Sequence, residues 1–416
     1  MPYADFPEDD VSVWFETNFA LKNGVALLDP ERQNILLLAG VMLDISSLMN
    51  QIQDPTLSTR YNLIAVDFRS QGRTINQPSE LRDSWVDAAG LLKLFARLRI
   101  PAVHVFAPGP ISMATALRLA LLWPNGVQSL TILSVIRPLE PWLVEAFEAV
   151  TTNLGSSKCL EDMEDNINEL LPYVFYDGLP NDEMDWWAEY MGTQYPPARI
   201  SRYIDMTLTL HYGYFEPLTP EQFGLIRQPV IIINPEDSLS STRASAEAFQ
   251  KELVNAAGGA QLHTLDVPTT ELYYPRCSFP AVNELFVSFL EALSTISSPH
   301  QEPPDMAQIL QTLAGLMGNI SISRRDHEKV SSFCCLSPEH MAERNGALQY
   351  MRMIEQQAFN PVLNDGKLPR KFTERHQDTL FTNQRKNSGG EWLFSAIDVR
   401  VEQGEQTDSD SEDLTA

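Results

Sequence analysis

The sequence predicts an α/β protein, a mostly parallel sheet with helices on both faces, an inserted helical segment and a C-terminal extension. Three observations predict it. Short runs of continuous apolar residues, the pattern of strands buried on both faces, recur along the chain. Stretches with apolar residues at helical spacing separate them. One segment, residues 137–225, breaks this alternation, which then resumes.

The elements follow in order. Asn34–Ala39 is apolar from Ile35 onward and closes at Gly40, which reads as a buried strand; Tyr61–Asp67 is a second of the same type. A polar turn at Arg69–Arg73 leads to a helix over Ser84–Leu98, where Val86, Ala89, Leu92, Phe95 and Ala96 recur at helical spacing. A strand over Ala102–Ala107, a helix over Ala114–Leu122 and a strand over Val127–Ser134 follow. Residues 137–225 are acidic, helical in tendency and rich in aromatics. The alternation resumes with the strand at Pro229–Ile233, a helix near 242–255, the strand Gln261–Val267 and a final helix Val282–Leu293.

A chain of 416 residues can bury a full core and carry one additional module. Thirty basic residues against 55 acidic ones give a net charge of -25, which disfavours nucleic acid and anionic membrane as partners. The excess is localised: residues 140–190 hold thirteen acids and the single base Lys158, and residues 401–416 add six acids and no base. The acidic N-terminus lacks the basic and apolar regions of a signal peptide, and no run of eighteen apolar residues suggests a membrane span. Cys159, Cys277, Cys334 and Cys335 match neither a disulfide framework nor a zinc signature, which fits a reducing, cytoplasmic setting.

The motifs are more specific. Residues 103–120 read as strand, tight turn and helix, with Pro108-Gly-Pro-Ile-Ser112 at the turn. Val66-Asp-Phe-Arg-Ser-Gln-Gly-Arg-Thr74 and Ile226-Arg-Gln-Pro-Val-Ile-Ile-Ile-Asn-Pro-Glu-Asp237 flank it in order. Together they resemble the α/β-hydrolase family over roughly residues 20–295, with a cap inserted after the sixth strand. The resemblance implies a Ser-His-Asp site in which a sharp strand–helix turn presents the nucleophile. The family's Gly-x-Ser-x-Gly falls on Pro108–Ser112, so that Pro110 stands where serine is expected. A proline carries no nucleophile, and its fixed φ suits a strained turn poorly.

The other positions are weighed the same way. Ser112 is a candidate displaced nucleophile, or a serine capping helix amides. His104 belongs near the start of its strand, at the far end of the sheet from the turn. Asp237 matches the family's acid position, though an Asp after a strand also serves as a turn residue. The loop after the last strand, Val267–Pro275, has no histidine; Glu271 and Tyr273 are its only candidates, and neither replaces an imidazole at neutral pH. Gly40 and Val41 retain the place of the oxyanion loop, where an amide nest would hold a carbonyl or carboxylate. With Pro110, Ile111, Trp186, Trp187 and Tyr212 they form a candidate lining for a small apolar or carbonyl-containing ligand. The same aromatics would equally anchor the cap to the body. No cofactor or metal set is visible.

The hydrolase-like body with its cap at about 137–225 is expected to span residues 1–298. A linker with short helices, at about Met306–Met317 and Pro338–Gln357, occupies 299–400, and an acidic disordered tail occupies 401–416. The short helices would either pack back on the body or dock on another protein. Trp392–Ile397 reads as a strand or docking peptide, and Ser409 and Ser411 lie in an acidic context open to phosphorylation. The sequence thus points to a degenerate hydrolase-like protein acting by small-molecule or protein binding. The alternatives are an enzyme with relocated chemistry, either non-hydrolytic or through Ser112, and a structural subunit with a collapsed pocket.

Overall fold

The computed structural model describes residues 3–135, 149–174, 180–206, 217–236, 241–266, 278–293 and 302–376. The strands are β1 (Tyr3–Phe6), β2 (Val11–Thr17), β3 (Leu21–Lys22), β4 (Val25–Ala26), β5 (Gln33–Leu38), β6 (Tyr61–Val66), β7 (Ile75–Asn76), β8 (Val103–Pro108), β9 (Val127–Leu133), β10 (Val230–Pro235) and β11 (Gln261–Leu265). Among the described residues nine of them form one sheet, in the order β1-β2-β6-β5-β8-β9-β10-β11 with β7 on β2. From β6 to β11 the neighbours are parallel. The β1–β2 and β2–β6 pairs are antiparallel. The sequence reading missed this antiparallel edge because its strands are only partly buried, so they lack the continuous apolar signature.

The longer helices are α1 (Ser84–Leu98), α2 (Pro110–Leu122), α3 (Leu160–Val174), α4 (Asn181–Gln194), α5 (Ile200–Met206), α6 (Arg243–Glu252), α7 (Phe279–Leu293), α8 (Met306–Leu316), α9 (Pro338–Glu355) and the single turn α10 (Thr373–His376). Side chains alternate across each strand, so β5 is buried twice over. Ile35 and Leu37 pack with Val282, Phe286, Phe289 and Leu290 of α7. Leu36 and Leu38 belong to the other core, which includes Val86, Leu92 and Phe95 of α1 and Ala116 and Leu119 of α2. The sheet is therefore covered on both faces, as the apolar runs predicted.

Helices α3–α5 lie in the insertion between β9 and β10. The C-terminal helices pack back on the body: Ile309, Leu310 and Leu313 of α8 and Leu348 and Met351 of α9 join the same core as the sheet. The described residues all fall in one compact unit, Met1–Phe381. Trp392–Ile397, Ser409, Ser411 and the acidic tail lie outside the described residues. Among the described residues, no helix is long and apolar enough to cross a membrane.

Candidate functional site

The turn between β8 and α2 differs from expectation by one residue. Gly109, at φ 81° and ψ -178°, takes a positive-φ extended conformation open almost only to glycine, and Pro110 is already the first residue of the helix. Only glycine adopts such a φ cheaply. Proline suits a first helical position, where its missing N–H is not needed. The helix accordingly begins four residues before the predicted Ala114. Pro110 is thus well placed, and the conformationally unusual position belongs to a residue without a side chain.

Ser112 is the third helical residue and is fully buried. Its hydroxyl does not cap amides; it donates back to the carbonyl of Pro108 and to that of Gly109 at 3.1 Å. Such back-bonding satisfies the hydroxyl within its own turn. His104 is the second residue of β8, at the opposite end of the strand from Gly109. Its Nδ1 pairs with Ser129 Oγ at 2.8 Å, and burial pushes the imidazole down to about 4, so it is neutral at physiological pH. Asp237, Glu271, Tyr273 and Tyr212 lie outside the described residues. Asn234, at the end of β10, accepts from Val135 N at 3.0 Å and from Ser241 Oγ at 2.7 Å.

Because Leu37 pairs with Phe106, the ends of β5 and β8 are adjacent, and the loop after β5 approaches the start of α2. Gly40, Val41, Pro110 and Ile111 are all buried there. Gln71 pins the loop, donating from Nε2 to the carbonyls of Gly40 at 2.6 Å and Leu43 at 2.8 Å. Met42 sits at φ 62° and donates its N–H to the thioether sulfur of Met206, from α5, at 3.0 Å. Tyr195 Oη donates to the same sulfur at 3.5 Å. Of the two candidate tryptophans, Trp187 is buried with these groups and Trp186 is 45% exposed. Trp186 instead borders a cavity of about 450 Å³ shared with Asp185, Glu189, Lys367 and Arg370.

Two clusters form around the Val66–Thr74 motif, with partners the sequence did not single out. In the first, Asp67 and Asp44 converge on Gly72, where a Cβ would stand 2.2 Å from Asp67 Oδ2 and 2.7 Å from Asp44 Cβ. Asp67 accepts from Ile45 N and Arg73 N, each at 2.9 Å. Burial, reinforced by the charge of Asp44, nevertheless pushes its carboxyl up to about 8. Burial raises Asp44 as well. Tyr190 and Tyr195 face the pair and are themselves raised, first by burial and then by neighbouring groups that include both carboxylates. A carboxyl of this kind is largely protonated at pH 7 and able to donate a hydrogen bond.

The second cluster is the buried Asp205 of α5. It accepts from Arg82 Nη1 at 2.5 Å, Arg344 Nη2 at 2.5 Å, Ser70 Oγ at 2.7 Å and Ser79 N at 3.3 Å. Burial alone would raise this carboxyl; Arg82, Arg344 and Ser70 outweigh it and hold the group below the usual range. Arg82 also pairs with Asp87 at 3.2 Å. The insertion, the body and α9 therefore share one buried acceptor. The acidic stretch has counterions of its own, Arg370 and Arg375. Arg370 binds Glu161 and Glu164, Arg375 binds Asp165 at 2.8 Å, and Thr373 N and Oγ1 bind Asp185 at 2.8 and 2.9 Å. Among the described residues, no group of three or more His, Cys, Asp or Glu is arranged to hold a metal ion.

No protein-family model and no curated protein matches the chain. Solved structures do. An enol-lactonase from Burkholderia xenovorans LB400 is 15% identical, with a TM-score of 0.52 over 70% of this chain and 100% of its own. A putative lipase from Acinetobacter baumannii AYE is 17% identical, with a TM-score of 0.53 over 70% and 91%. An α/β-hydrolase enzyme from a Medee basin deep-sea metagenome library is 16% identical, with a TM-score of 0.52 over 68% and 94%. At these identities the likeness establishes the α/β-hydrolase fold; it assigns no reaction.

Proposed function

We propose that this chain is an α/β-hydrolase-fold protein without serine-hydrolase chemistry, and that it acts by binding. One observation carries the reading: the residue at the strand–helix turn is Gly109, and the nearby hydroxyl, Ser112, is committed to main-chain carbonyls. Acyl transfer through a serine needs a free hydroxyl beside a basic imidazole, and His104 stands at the other end of β8. The ligand class that suits the crevice is a small apolar or carbonyl-containing molecule. Its carbonyl would take the Met42 N–H now bonded to Met206, so the cap residue Met206 acts as an internal occupant of that position.

Fluorophosphonate labelling of the full chain, with peptide mass spectrometry and an active serine hydrolase as control, tests this. No labelling beside a fully labelled control is the expected result. Stoichiometric modification of Ser112 would overturn it.

The acid pair supports a second reading, an enzyme of non-hydrolytic chemistry in which Asp67 delivers a proton beside Asp44, Tyr190 and Tyr195. Infrared difference spectroscopy addresses it. A protonated-carboxyl stretch at pH 7 that disappears in Asp67→Asn is required, and its absence removes the acid this reading depends on.

A further inference from the structure

Residues 367–376, which include α10, attach to the insertion helices α3 and α4. Glu161, Glu164 and Asp165 share one face of α3, since helical residues three and four apart are neighbours. Arg370 Nε donates to Glu164 at 2.9 Å, and its Nη2 to Glu161 at 3.1 Å. Arg375 Nη2 donates to Asp165 at 2.8 Å, and its Nη1 to the carbonyl of Glu161 at 2.6 Å. On α4, Asp185 accepts from the N–H and the hydroxyl of Thr373. Two apolar side chains seat the segment: Leu368 occupies the space left by Gly192, beside Met163 and Ile167, and Phe372 is buried.

This seam differs from the attachment of α5. Helix α5 is joined to α9 by Asp205 and Arg344, whose side chains are 0% exposed. At the α3 seam Arg370 and Arg375 are 30% and 31% exposed, and Glu161 and Asp165 are 51% and 54% exposed. Of these five side chains Glu164 alone is buried, at 2%. Exposed pairs are screened by salt, with a Debye length of about 10 Å at 0.1 M and about 3 Å at 1 M, whereas buried pairs are screened much less. A cavity of about 450 Å³, bordered by Trp186 of α4 and by Lys371, lies along the same seam, so packing there is incomplete. Tyr190 of α4 faces the Asp44–Asp67 pair, and lifting of α4 uncovers that corner.

We propose that residues 367–376 form an ionic clasp. Their pairs with α3 hold α3 and α4 on the body, and screening of those pairs lets the two helices open while α5 stays docked through Asp205. The clasp goes beyond the binding reading and does not depend on it, since the helices open with or without a ligand.

Amide hydrogen exchange of the full chain, read by mass spectrometry at about 0.05 M and about 1 M potassium chloride, tests this. Exchange in α3 and α4 should quicken about tenfold at high salt, with α5 and α8 unchanged. Arg370→Gln/Arg375→Gln should exchange fast already at low salt and respond no further. Arg60→Gln, which breaks the exposed pair with Glu291, should behave as wild type. If the double variant does not fold, the wild-type comparison of α3 with α5 decides alone. Three results would each overturn the proposal: no acceleration in α3 and α4, equal acceleration in α5, or a wild-type salt response in the double variant.

Discussion

Asp205→Ala removes the one carboxylate among the described residues that meets both Arg82 and Arg344. The three side chains are at most 1% exposed, so no solvent replaces the lost charge. The two arginines are affected differently. Arg82 keeps Asp87 at 3.2 Å, while Arg344 keeps the neutral carbonyl of Ser79 at 2.8 Å. Breaking a buried pair on one side costs about 3–5 kcal/mol, much of it from the stranded charge. Against a typical domain stability of about 5–15 kcal/mol, that is roughly a fifth or more of the total. Arg344→Met in the same background removes the stranded charge, so Asp205→Ala/Arg344→Met should recover about 1–3 kcal/mol relative to Asp205→Ala. Urea unfolding followed by far-UV circular dichroism and tryptophan fluorescence measures both steps. A loss below about 1 kcal/mol in Asp205→Ala, or strict additivity in the double variant, would refute the shared-acceptor argument.

Three further predictions follow from other contacts. Asp67 has a folded-state pKa near 8, above its unfolded value, so its contribution to stability is fully present below about pH 4 and is lost as pH rises through 8. Asp67→Asn should flatten the fall in stability over that window by about 1.4 kcal/mol per pH unit, read from urea midpoints at successive pH values; parallel wild-type and variant curves would contradict it. Gly72→Ala places a Cβ against Asp67 at φ 46°, and should cost about 2–4 kcal/mol through strain and overpacking, seen as a lowered Tm. A chain ending at residue 298 loses Arg344 and uncovers the core beneath Leu313 and Leu348; it should bind anilinonaphthalene sulfonate and unfold without a sharp transition, and cooperative unfolding of that fragment would show that α8 and α9 are dispensable.

The doubly covered sheet was legible because its signal is local. Ile35-Leu36-Leu37-Leu38 and Ile231-Ile232-Ile233 are apolar on consecutive residues, and only a strand buried on both faces needs that. The absence of a serine at the strand–helix turn was equally plain, since it concerns residue types alone. Which residue sits at the tip was not: Gly109 and Pro110 are adjacent, and backbone geometry assigns the positive φ to the glycine. The acidity of residues 140–190 could be counted, but Arg370 and Arg375, its partners, sit in a stretch without periodicity.

By itself the sequence determined the layered architecture, the residue types at the strand–helix turn and the sign and location of the charge, all properties of residue types over short windows. The tertiary structure alone decided that Met206 meets the Met42 amide, that Asp67 and Asp44 share one buried corner, and that Asp205 joins Arg82 and Arg344, 123 and 139 positions away along the chain. The physical reason is the range of the forces read. Propensity and periodicity act within a turn or two of chain, whereas desolvation and ion pairing depend on which distant groups packing brings together.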